Sequence, residues 1–143
     1  MNDLKGVNIL NKLTEKQLLL INQKLVSNPE DELSEYSEKR LKEIAEIPYM
    51  QDEKLFLIYG AKFEQAAKLG CLIATRKPFK QENNKTALLA LLITLDINGV
   101  RIVDYENDLT QLLEFLQQDD LDGTTTWIKT HLPGKKENDE RAD

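Results

Sequence analysis

A single all-α domain, a bundle of about six helices around a buried central one, is the fold predicted here, and three observations predict it. The length of 143 residues suits one hydrophobic core and is short for two. Apolar residues make up 41% and charged residues 31%, which gives enough greasy surface for a core and too little net charge for a disordered chain. Only 6 glycines and 4 prolines punctuate the sequence, and between them apolar residues recur at spacings of three and four.

The first helix is signalled by Thr14, which opens T-E-K-Q, a capping box with Gln17 at the third helical position. Leu13 and Leu18 stand where a hydrophobic staple packs, and the helix is expected to run to Ser27. Asn28 then caps a second helix with Pro29 at its first position and Glu30 and Asp31 in its first turn. Leu33, Tyr36, Leu41, Ile44 and Ile47 supply its apolar face, and Pro48 stops it. Residues 55–59, L-F-L-I-Y, are too few for periodicity to separate strand from helix, and a short extended flap is the preferred reading.

Residues 61–76 place Phe63, Ala66, Ala67, Gly70, Ile73 and Ala74 on one face, small enough for a neighbouring helix to approach closely. Residues 86–95, T-A-L-L-A-L-L-I-T-L, are hydrophobic all round and are expected to form the central helix, which Asn98-Gly99 stops. Residues 100–103 read as an extended connector. Leu109, Leu112, Leu113 and Leu116 trace another amphipathic helix, and a last one with Trp127 and Ile128 is expected over 124–132, after Gly123. The domain is thus 1–132, and the polar tail 133–143, PGKKENDERAD, reads as disordered.

Composition narrows the function classes. Lys plus Arg is 19 against 25 for Asp plus Glu, a formal charge of −6, which argues against generic binding to nucleic acid or anionic membrane. An anionic ligand needs a local cationic patch. One cysteine, Cys71, and one histidine, His131, cannot make an internal disulfide or a zinc site. No stretch approaches the roughly 18 apolar residues of a membrane span, and the polar start lacks the pattern of a leader, so a cytoplasmic location is expected. Cys71 reads as a core filler, His131 as a surface residue and Trp127 as an anchor for the last helix. Asp119, Asp120 and Asp122 read as a solvated turn, because no Glu follows at calcium-loop distance.

The charge anomaly lies at 76–85, R-K-P-F-K-Q-E-N-N-K. Four cations (Arg76, Lys77, Lys80, Lys85) meet one anion, Glu82, just ahead of a helix whose N-terminal amides are expected to be capped by Asn83 or Asn84. Cations beside a helix N-terminus make an anion site, with phosphate the usual tenant; the plainer alternative is a set of solvated loop lysines.

The same residues carry a resemblance. Residues 59–100, YGAKFEQAAKLGCLIATRKPFKQENNKTALLALLITLDINGV, closely resemble the core of the Fic/Doc family, above all the death-on-curing toxins, whose signature is H-x-F-x-D/E-G/A-N-G/K-R ahead of a helix ending in N-G. Weaker similarity covers residues 13–25 and 109–132. The resemblance implies transfer of AMP or phosphate from ATP, with Mg²⁺, to a protein hydroxyl, and for Doc-like members a translation factor as target and a separate antitoxin as partner. In the family the histidine is the general base, the acid holds the metal, and the Asn and basic residues hold phosphates.

Phe79 and Asn83 match the signature. Lys77 stands at the histidine position, Gln81 at the acidic one, Glu82 at the small-residue one, Asn84 at the Gly/Lys one and Lys85 at the arginine. A lysine, with an ordinary pKa of about 10.4, is protonated at neutral pH and has no lone pair to act as base. Gln81 offers Mg²⁺ a neutral carbonyl in place of a carboxylate, so no metal ligand is assigned. Glu82 adds bulk and negative charge where a phosphate must approach the backbone. The expectation is a pseudoenzyme in which Lys77, Lys80, Asn83, Asn84 and Lys85 still hold a phosphate-bearing ligand or a protein partner. The alternative is an active Doc-like toxin using ATP and Mg²⁺, with Lys77 in a catalytic role and an antitoxin as its inhibitor. The family's inhibitory motif, Ser/Thr-x-x-x-Glu-Gly/Asn, fails at its last position in 34–39, S-E-Y-S-E-K, so control in cis is not expected.

Overall fold

The computed structural model describes residues 11–26, 36–54 and 57–133. Among them are six α-helices: α1 (Glu15–Leu25), α2 (Glu38–Glu46), α3 (Lys62–Arg76), α4 (Asn83–Ile97), α5 (Leu109–Gln117) and α6 (Leu121–Thr130). A 3-10 turn (Ile47–Tyr49) follows α2. The described residues are all-α, their one extended pairing being the isolated antiparallel bridge between Gln51 and Leu57. That bridge is what the described residues show of the expected flap, of which 55–56 lie outside them. No helix there is long and apolar enough to cross a membrane.

Local signals explain most of the boundaries. Thr14 Oγ1 accepts from the Gln17 N–H at 3.2 Å and Gln17 Oε1 accepts from the Thr14 N–H at 2.8 Å, so two orphan donors of α1 are satisfied reciprocally. The buried pair Leu13 and Leu18 fixes the entry of the chain. The helix ends at Leu25, before the expected Ser27, because Val26 is extended. Gly99, at φ 78°, takes the left-handed turn that ends α4 as expected.

Two helix starts are corrected. The expected start of the second helix at Asn28 and Pro29 lies outside the described residues, but one continuous helix through Tyr36 is not formed. Ser37 is extended and its hydroxyl accepts from the Arg40 N–H at 3.3 Å, so α2 begins at Glu38. The last helix starts at Leu121, because Asp120 caps it by accepting from the Gly123 N–H at 2.8 Å. Residues 100–103 connect α4 to α5 without regular structure, and the Val103 N–H donates to His131 O at 2.9 Å. Residues 134–143 of the expected tail lie outside the described residues.

The centre is held by α3, not by α4 as the apolar run suggested. Its small residues Ala66, Ala67, Gly70 and Ala74 are buried and let α2, α4, α5, α6 and the 3-10 turn all pack on it. A Cβ at Gly70 would lie 3.0 Å from Leu116 Cδ2 and 3.2 Å from Leu91 Cδ1, so α4 and α5 meet over this glycine. In turn, α4 packs on α3, α1 and α5 with Ala87, Ala90, Leu91 and Leu95, and leaves Leu89 37% exposed.

Candidate anion site at the start of α4

The connection between α3 and α4 is short and heavily tied. Lys77 ends α3 in the left-handed region (φ 45°, ψ 66°), where its N–H donates to Ile73 O at 3.1 Å. Pro78 is buried, and its carbonyl accepts from the Ser37 N–H at 2.8 Å. Phe79, 4% exposed, wedges into the core with its ring centroid 6.5 Å from that of Tyr36, as its place in the motif suggested. Asn83 grips the same residue twice: Oδ1 accepts from the Phe79 N–H at 3.0 Å and Nδ2 donates to Phe79 O at 2.8 Å.

This grip corrects one expectation. Asn83 does not cap α4, since its amide is spent on the Phe79 backbone, and Asn84 does not cap it either. The N-cap is Glu82, left-handed at φ 59°, and no side chain there accepts from the first turn. Helix geometry gives the N–H groups of Asn83, Asn84 and Lys85 no intrahelical acceptor; the first helical bond runs from the Thr86 N–H to Glu82 O at 2.9 Å. An uncapped first turn leaves the positive end of the helix dipole exposed.

Lys77, Lys80, Gln81, Glu82, Asn83 and Asn84 together line a shallow depression of about 250 Å³ over that turn. Four of the five predicted anion-binding residues thus share one concavity. The fifth, Lys85, does not line it; its side chain is 67% exposed and its Nζ lies 4.0 Å from Glu82 Oε1. Among the lining residues Glu82 supplies the single carboxylate, and no group of three His, Cys, Asp or Glu among the described residues could hold a metal. Phosphate suits this donor set of ammonium and amide N–H groups, whereas Mg²⁺, which needs several oxygen ligands, does not.

Other residues with possible chemistry have structural partners. Burial pushes the Cys71 thiol up to about 11, so at neutral pH it is a protonated core group, 4.0 Å from Thr124 Oγ1. His131 is not the surface residue expected. Its side chain is 11% exposed, stacked on Trp127 at 4.0 Å between centroids, with Nε2 2.7 Å from Asp108 Oδ2 and Nδ1 2.7 Å from Trp127 O. It thereby fastens the end of α6 to the start of α5, as does the Trp127 Nε1–H that donates to Asp108 O at 3.1 Å.

One residue of the site was missed. Asn22 of α1 is fully buried, and its Nδ2 donates to Gln81 O at 2.9 Å and Thr86 Oγ1 at 3.0 Å. Its signal was an amide four residues after Leu18, on the stripe a helix buries. No family model matches this chain, and no curated protein matches it in sequence.

Proposed function

We propose that this protein is a Fic/Doc-like helical module that performs no group transfer and binds a phosphate-bearing ligand, or a protein partner that carries one, at the first turn of α4. The observation that supports the reading is the concavity itself: two lysines, Lys77 and Lys80, beside the uncapped amides of Asn83 and Asn84. Binding an anion needs only charge and donors, and both are there. Transfer needs a base to take the proton of the attacking hydroxyl, and the residues around the depression are two ammonium groups, three carboxamides and Glu82. Glu82 is the one candidate acceptor of a proton, and its negative charge opposes the phosphate that the site would have to orient.

The test is to incubate the purified protein with Mg²⁺, a bacterial lysate and ATP labelled at the α or the γ phosphate, with a Lys77→Ala variant alongside. The expected result is no protein label from either nucleotide. A labelled band that vanishes with Lys77→Ala would replace this reading with that of an active toxin, α label meaning AMP transfer and γ label meaning phosphorylation.

A further inference from the structure

We infer that Asn22, a residue of α1 remote in sequence from the loop, is the positioning residue that holds the first turn of α4 open to an anion. The inference rests on the anion-site reading above and adds what sets the geometry of that site.

The hydrogen bonds fix a direction. Thr86 Oγ1 donates to Glu82 O at 2.7 Å, so toward Asn22 it can only accept, and Gln81 O is an acceptor by nature. Both N–H groups of the Asn22 amide are therefore committed: one to Gln81 O, the other into a chain that runs Asn22 Nδ2 to Thr86 Oγ1 to Glu82 O. Flipping the amide would set oxygen against oxygen. The consequence is that Asn22 Oδ1 points the other way, buried and without a hydrogen-bond partner.

An orphaned buried acceptor is destabilising, and what the amide supplies against it is its two donated bonds, to Gln81 O and Thr86 Oγ1. What the amide does is brace the carbonyls of Gln81 and Glu82 from below, on either side of a left-handed non-glycine residue. With those carbonyls turned inward, the N–H groups of Asn83, Asn84 and Lys85 are held outward, beside Lys77 and Lys80.

A structural role and a positioning role predict different results for Asn22→Leu. Inorganic phosphate titrated into the folded variant is expected to bind about fivefold more weakly than to the native protein, whereas a merely structural role would leave the affinity of the folded variant unchanged. In ligand-free protein the ¹⁵N-amide resonances of Asn83, Asn84 and Lys85 shift and the Thr86 amide exchanges faster. Thr86→Val reproduces both effects and Thr86→Ser restores them, which keeps the test valid where Asn22→Leu does not fold. Native phosphate affinity and native amide resonances in a folded Asn22→Leu protein would overturn the inference. Should the native protein bind no phosphate, the anion reading falls by itself, and unchanged ligand-free amide resonances and Thr86 exchange in Asn22→Leu would still overturn the positioning role.

Discussion

Lys77→Ala combined with Lys80→Ala is expected to weaken phosphate binding about thirtyfold. Each ammonium sits at a solvent-open rim, where an ion pair with a ligand is worth about 1 kcal/mol, and two of them make about 2 kcal/mol. The effect shrinks as salt is added, because exposed charges are screened within about 8 Å at physiological ionic strength. Lys85→Ala is expected to have a smaller effect, since that side chain lies outside the depression and faces Glu82. Lys12→Ala is the control: its ammonium sits over the Tyr49 ring, 5.3 Å from the centroid, away from the loop's partners. Calorimetric titration with inorganic phosphate checks all three, and an equal loss from Lys12→Ala would show that the binding is diffuse.

The second large effect is on stability. Gly70→Val is expected to lower stability by about 2 kcal/mol, because the added methyls enter a space already closed by Leu116 and Leu91. The gain in helix propensity over glycine, at most about 1 kcal/mol, is too small to offset it. Gly70→Ala should fall between, as its single Cβ needs the two leucines to give only a few tenths of an ångström. Thermal denaturation should show Gly70→Val melting about 6 °C lower. Gly60→Ala, with nothing within 4 Å of the new atom, should melt with the native protein.

Where the sequence was readable, a single local rule decided the outcome. The Thr14 capping box, the Gly99 stop and the leucine spacing of α5 each depend on residues within one or two turns, and each appears as read. The two helix starts that were misplaced turn on local caps, Ser37 and Asp120, while the errors about the centre and about His131 come from contacts across the fold. The apolar run of α4 looked central because it is hydrophobic all round, yet the centre goes to α3, whose small residues admit neighbours on more sides. His131 looked peripheral because its partner Asp108 is brought to it by the packing of α5 against α6.

The candidate site divides in the same way. The cations and the helix start were visible as a charge anomaly, and Phe79 as a wedge. Asn83 was named as a cap, but its amide instead holds the Phe79 backbone, leaving the first turn of α4 uncapped. The burial of Asn22 was signalled by its place four residues after Leu18, but its partners Gln81 and Thr86, 59 and 64 residues away, were not.

An anion site at the first turn of α4 is tested most directly by titrating ¹⁵N-labelled protein with inorganic phosphate and following the amide resonances. Saturable shifts are expected at Asn83, Asn84 and Lys85, largest at low salt. Resonances that stay fixed there while others move, or that do not move anywhere, would contradict it.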